Sequence, residues 1–369
     1  MKRLPAKSLA VFRSVSKAWK SVIDRPLFIA YYTNFHQHHR LLIWNEVNIF
    51  ESKYVSIMDN ESLSQHTLTN VPAPLEQIEN LSLIGTSKGL LCFSGYFQEV
   101  GCMKERAVVW NPSLGKSIAI DLPCHAIWLG FGVRCDPMIV LMNAVEHPYP
   151  AFVFTLSSRV WRVPCGNLPP NSIHSSYSPL VATDDRCIYW EVHDREHLVV
   201  AFDMVSEDFT EINLPHCVAD LPFGAFSISK IRGSLALLEY CDDAKKPVYG
   251  VWMMAEDGVS KSFTKLFTIN IPHTSLKPTV LGYRNNDQPF IETTTNDISA
   301  SLEVYEPRTG TIKNLGINGE CDSFHLSSYT ETLLLLDQLD EEFVKISYDS
   351  DIDVESICDY IKSEFEPYL

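Results

Sequence analysis

Several clusters in this chain carry residue types that do chemistry in other proteins. Gly115-Lys116-Ser117 has the closing triplet of a phosphate-binding loop, in which backbone N–H groups and a lysine cradle phosphates. That loop needs a further glycine where Trp110 stands and a helix afterwards, whereas Ile118 to Ile120 alternate as a strand. Asp349, Asp351 and Asp353 imitate the first ligands of a calcium loop, but Val354 takes the place of its glycine and Tyr360 that of its last glutamate. His36, His38 and His39 could ligate a metal, yet no Cys or His pair follows at finger spacing, and a solvated turn is the alternative. No cysteine lies in a recognised protease signature. No cofactor, metal or catalytic residue is therefore expected, and the chemistry left is that of binding. Trp128, Trp190, Tyr240 and Tyr283, with Arg284 beside the last, stand near turns and are candidate anchors for a protein target. The competing reading of these aromatics is core between repeats.

The elements that must position such residues are strands. Ala107 to Pro123, AVVWNPSLGKSIAIDLP, reads as a hairpin. Asn111-Pro112 stops the first strand, Gly115 supplies the turn, and Ile118 and Ile120 are expected on one face with Ser117, Ala119 and Asp121 on the other. The pattern recurs at Phe152–Pro164, Val199–Pro215, Val248–Pro272 and Leu302–Ile317. A spacing of about 45 to 50 residues is that of propeller-type repeats, one four-stranded blade per period. The body from Trp44 to Leu336 is thus predicted to be nearly all β, with Leu333–Leu336 as its closing strand. Tyr31 to Pro74 is a poorly patterned entry in which Leu41–Trp44 is a strand candidate, and Val71–Pro74 reads as an extended connector.

Length and composition fit a globular protein of 369 residues. The formal charge of -16 leaves no basic stripe on the body for a phosphate backbone, so nucleic acid is not an expected partner. No apolar run is long enough to span a membrane and the start lacks a secretory core. The ten scattered cysteines therefore read as reduced, mostly buried thiols of a cytoplasmic or nuclear protein.

The N-terminus differs from the rest. Apolar residues at 4, 9, 12, 15, 19, 22 and 23 follow a helical spacing, and Lys2, Arg3, Lys7, Arg13, Lys17, Lys20 and Arg25 surround them against one acid, Asp24. Such a start also has the composition of a mitochondrial presequence, but it runs into Asp24-Arg25-Pro26-Leu27-Phe28 rather than a cleavable linker.

Leu4-Pro5-Ala6-Lys7-Ser8-Leu9, Phe12-Arg13-Ser14-Val15-Ser16-Lys17-Ala18-Trp19, Ile23-Asp24 and Phe28 together resemble the second half of an F-box. The match is to the plant F-box proteins that carry an F-box-associated, kelch-like domain. A complete F-box has another helical segment before the Leu-Pro, so residues 1–40 are expected to be a partial F-box. The body resembles the same family's associated domain. Gly89–Cys92 is similar to its G-L-L-C strand, Val109–Gly115 to its W-N-P-x-T-G turn and Leu129–Gly132 to its L-G-F-G turn. Ile188-Tyr189-Trp190, Ala201-Phe202-Asp203 with Glu207-Asp208-Phe209, and Trp252 through Lys265 continue the series in order.

The resemblance implies a short helical module on a β-propeller-like domain (residues 41–345). It also implies the role of substrate receptor in a cullin-RING ubiquitin ligase. The partners are then a Skp-type adaptor, the cullin behind it and a protein target, with Leu4, Pro5, Leu9, Phe12, Val15, Lys17, Trp19 and Ile23 facing the adaptor. A non-ligase interaction scaffold and a propeller hydrolase using a carboxylate pair are the alternatives. In the acidic tail (346–369), Val354, Ile357, Cys358, Ile361 and Phe365 are expected to form a short amphipathic helix. Target-binding loops are expected to be exposed at Gly130–Pro137, His193–Glu196 and Arg284–Gln288.

Overall fold

The computed structural model describes residues 4–335 and 341–344 except 36–39, 49–50, 69, 100–101, 125–127, 143–150, 168–180, 194–196, 223–224, 232, 244–245, 257–260, 271–278, 285 and 295–297. The chain opens with three helices, α1 (Ala6–Val15), α2 (Lys17–Ile23) and α3 (Pro26–Phe35). The single helical spacing read over Leu4–Ile23 is broken at Ser16, which is extended and caps α2 by accepting from Ala18 N at 3.2 Å.

The supposedly unpatterned entry then supplies the strands β1 (Arg40–Asn48), β2 (Glu51–Met58) and β3 (Gln65–Thr67). The Val71–Pro74 connector turns into a short helix, α4 (Ala73–Glu76), because Pro74 already has a helical φ in its first turn. Four blades of antiparallel meander follow: β4 (Glu79–Ser87), β5 (Leu90–Glu99), β6 (Cys102–Asn111), β7 (Lys116–Asp121); β8 (Trp128–Val133), β9 (Pro137–Met142), β10 (Ala151–Thr155), β11 (Trp161–Arg162); β12 (Val181–Thr183), β13 (Cys187–His193), β14 (His197–Asp203), β15 (Phe209–Ile212); and, after α5 (His216–Ala219), β16 (Phe226–Ile231), β17 (Ser234–Asp243), β18 (Lys246–Glu256), β19 (Lys261–Asn270). The last full blade is β20 (Thr279–Tyr283), β21 (Pro289–Thr294), β22 (Ser299–Glu306) and β23 (Thr311–Glu320). Finally β24 (His325–Tyr329) returns to pair with β1 as the innermost strand of the first blade, and β25 (Glu341–Val344) adds in parallel to β7.

The result is a closed six-bladed β-propeller, and its core is divided among the blade interfaces. Successive apolar clusters join blades 1–2, 2–3, 3–4, 4–5, 5–6 and 6–1. Each sheet is therefore covered on both faces. Ile118 and Ile120 point to blade 3 as one alternation, while Ala119 packs toward blade 1, so no face of that hairpin is solvated.

The outer hairpins share one turn chemistry. At Asn111, Thr155, Asp203 and Glu306 the carbonyl accepts from the residue four later at 2.8 to 2.9 Å, and that later residue has positive φ. In three of them the side chain of the first residue also accepts from the turn backbone, as Asn111 Oδ1 does from Ser113 N at 2.8 Å. Glycine fills the left-handed position at Gly115 and Gly310, but Arg159 and Glu207 fill it elsewhere. Glu207 is held there by Arg162 and by Cys165 N, which donates to it at 2.9 Å.

Other expectations are corrected by packing. Leu129–Gly132 is not a turn but part of the buried inner strand β8; only Arg134–Asp136 turns. A Cβ on Gly130 would lie 2.5 Å from the Trp190 ring, so the glycine serves close approach between blades. Leu333–Leu336 is not the closing strand, since β24 ends at Tyr329 and Leu333 and Leu335 are buried as an irregular strap. Among the described cysteines the expected burial is not the rule: Cys92 and Cys187 are buried, Cys124 and Cys321 half-buried, and Cys135, Cys165 and Cys217 exposed. The histidine cluster at 36–39, Asp194–Glu196, and the tail from 345 onward with its expected helix lie outside the described residues.

Candidate functional site

The three helices sit on one end of the propeller, where β24 finishes and β1 begins. Their inner side makes a small core in which Ala6, Leu9, Ile23 and Tyr32 close over Leu333, with Leu114 of the β6–β7 turn against it. Arg13 on α1 grips Asp24 at the end of α2 through two bonds of 2.5 and 3.0 Å, fixing the angle between the helices. Burial, and next the Glu331 carboxylate at its hydroxyl, push the Tyr32 phenol far up, so it remains a donor at any physiological pH.

What the inner side covers, the outer side leaves open. Val11, Val15 and Leu27 are 61%, 74% and 85% exposed, and Phe12, Trp19, Val22 and Tyr31 are exposed as well. Phe12 and Trp19 rest on each other with ring centroids 5.8 Å apart, bridging α1 and α2. Exposed Lys7, Lys17, Lys20 and Arg25 rim this face, while Asp24 is engaged by Arg13. An apolar face of this size with a basic rim is a binding surface for a partner of complementary, acidic-edged shape.

The residues expected to face the adaptor thus divide. Pro5, Phe12, Val15, Lys17 and Trp19 are exposed and Leu4 is half-buried, but Leu9 and Ile23 are fully buried against the body. A helix turns about 100° per residue, so an apolar spacing of three drifts around the cylinder and two faces were read as one stripe. Val11, Val22, Leu27 and Tyr31 are exposed on the same helices and are not among the expected residues; the signal available was the place of Val11 about 200° from Leu9 and the i, i+4 spacing of Leu27 and Tyr31.

The expected target anchors are not brought together. Trp128 and Trp190 are buried between blades 3 and 4, with Trp190 Nε1 donating to Leu129 O at 2.9 Å. Tyr240 and Tyr283 pack against the core between blades 5 and 6, Tyr240 on Tyr249 and Tyr283 edge-on to Phe267. Arg284 binds Asp59 at 2.7 Å and Asn60 O at 2.9 Å, tying blade 6 to blade 1 with side-chain exposures of 10% and 3% for the ion pair. Trp128 and Trp190 are fully buried in contacts between blades, and Tyr240, Tyr283 and Arg284 are half-buried in them.

The two ends of the ring differ. On the helix end the β4–β5 turn is only Lys88-Gly89. On the opposite end, central hairpins continue past their neighbours. In blade 1 the β1–β2 ladder reaches Asn48↔Glu51 although the inner strand starts only at Trp44↔His325. In blade 2 the β5–β6 ladder reaches Glu99↔Cys102, beyond Tyr96↔Glu79 and Arg106↔Asp121, and carries the exposed Met103. In blade 5 it reaches Asp243↔Lys246, beyond Glu239↔Phe226. These arms make a walled rim on the end away from the helices.

A closed propeller with walls at one end and a helical cap offering an apolar face at the other defines a two-ended binding protein. The chain belongs to the family of the F-box associated beta propeller domain, which it matches over residues 39–363, and it matches the F-box domain over residues 1–31. It is similar to F-box protein CPR1 of Arabidopsis thaliana, with 25% identity over 306 residues covering 73% of this chain and 71% of that protein. An F-box/kelch-repeat protein of the same plant shares 22% over 301 residues, covering 72% and 76%. A further Arabidopsis thaliana F-box protein shares 25% over 303 residues, covering 75% and 70%. Among the described residues no helix is long and apolar enough to cross a membrane, and no group of metal-binding side chains occurs.

Proposed function

We propose that this protein is the substrate receptor of a cullin-RING ubiquitin ligase. Its helices dock a Skp-type adaptor through Val11, Phe12, Val15, Trp19, Leu27 and Tyr31, and the walled end of the propeller holds a protein target. The observation that carries this reading is the exposed apolar face, which lies within the residues matching the F-box. The protein performs no chemistry of its own in this role; it raises the effective concentration of target beside the ubiquitin-loaded enzyme. Lys17, Lys20 and Arg25 at the rim of the face steer an acidic adaptor edge.

The test is titration of the purified protein with adaptor. Trp19 is half-exposed and touches Phe12, so Trp19→Ala leaves the fold standing while removing an anchor. The expected loss is about 2 to 4 kcal/mol, roughly 30-fold to nearly 1,000-fold in affinity. Wild type and variant binding equally well would remove Trp19 from the docking face, and neither binding would withdraw the ligase role and leave an interaction scaffold.

A further inference from the structure

The exposed face depends on a stretch of chain 299 to 325 residues away in sequence. The strap from Thr330 to Leu335 runs between the helices and blade 2. Glu331 is its centre: one carboxylate oxygen accepts from Ala6 N at 3.2 Å and competes, at 3.2 Å, with Leu4 O at 2.9 Å for the Tyr32 hydroxyl proton, and the other binds Arg40 Nη1 at 2.9 Å. Next to it Thr332 shares a buried 3.1 Å bond with Thr33, and Leu333 completes the helical core. From the propeller side, Asn111 Nδ2 donates to Thr332 O at 3.1 Å and Leu334 O at 2.7 Å.

Helices of 10, 7 and 10 residues are too short to be stable alone. Pro5 gives α1 no side-chain cap, and Glu331 takes that place with a negative charge at the positive end of the helix. The same carboxylate holds Arg40, the residue of β1 that pairs with Tyr329 of β24. Pairing of β24 on β1 closes the ring and, two residues on, delivers Glu331 to the helices. Closure of the propeller and locking of the helices are one event.

We propose that the Thr330–Leu335 strap is a closure-dependent lock on the docking helices, with Glu331 as its positioning residue, so that the adaptor-binding face is displayed only by a chain whose ring has been closed by β24 on β1. This rests on the receptor reading for its consequence: an incomplete or misfolded receptor cannot recruit the ligase. The lock itself stands on the contacts alone.

The experiment compares full-length wild type, Glu331→Ala, Glu331→Gln and Tyr32→Phe by amide hydrogen exchange and by adaptor titration. In Glu331→Ala, exchange in α1 and α3 should rise about tenfold or more, the loss expected for a charge-assisted bond, while blades 3 and 4 keep their wild-type rates. Adaptor affinity should fall with it. Glu331→Gln keeps a carbonyl for Ala6 N and Tyr32 OH and should restore most of the protection. Tyr32→Phe removes less and covers the case in which Glu331→Ala does not fold. Unchanged protection of α1 and α3 in Glu331→Ala, or in Tyr32→Phe if the former is unfolded, overturns the lock. Adaptor binding with no change in exchange leaves the receptor role and refutes the lock; exchange as expected with no adaptor binding supports the lock and refutes the receptor role.

Discussion

Arg284 and Asp59 should behave as a buried seam rather than as a binding site. Their bond spans the first turn of blade 6 and the last turn of blade 1, where the two ends of the repeat meet, and both side chains are nearly covered. Arg284→Ala removes the partner of a carboxylate that is 3% exposed and also the bond to Asn60 O. Removing one member of a buried pair leaves an uncompensated charge, which costs about 3 to 5 kcal/mol, whereas an exposed pair is worth about 0 to 1. Asp59→Ala should cost less, because the guanidinium keeps Gln288 Oε1 and Asn60 O as acceptors. The double variant Arg284→Met with Asp59→Ala should cost no more than the worse single one, because neither charge is left behind. Urea denaturation of the four proteins, combined as a double-mutant cycle, reads this directly. Single losses under about 1 kcal/mol with no coupling would refute the assignment of these residues to ring closure.

Gly89→Ala should destabilise the protein by about 2 kcal/mol or more, measured by urea midpoint, because the residue has φ of +82 and a Cβ would meet Thr330 O at 2.0 Å. Glu191 has a buried Oε2 with no hydrogen-bond partner among the described residues, and burial pushes its carboxyl up to about 8 from 4.5. Since the folded value is raised, the stability it contributes is full below about 4.5 and is lost as pH rises through about 8, by at most about 5 kcal/mol. Glu191→Gln should flatten that slope in urea titrations from pH 5 to 9; an unchanged slope would show that the carboxyl is not the cause.

Much of this architecture is written locally. The hairpins at 107–123, 152–164, 199–215, 248–272 and 302–317 all occur, since turn chemistry and alternation are decided by residues a few positions apart. The helical character of Leu4–Ile23 and the family motifs are legible for the same reason. Legibility fails where a residue's role is set by a distant partner. The leucine run after Glu331 has the composition of a strand, yet Asn111 and the helical core capture it as a strap. Leu9 and Trp19 look alike in sequence, but Leu333 covers one, while among the described residues the other is left exposed beside Phe12. Trp128, Trp190 and Arg284 have the composition of anchors and are spent on inter-blade contacts. The sequence by itself determined the strands, their turns and a helical start. Only the tertiary structure decided which apolar faces remain for a partner, because burial is a property of surfaces brought together by ring closure across some 300 residues.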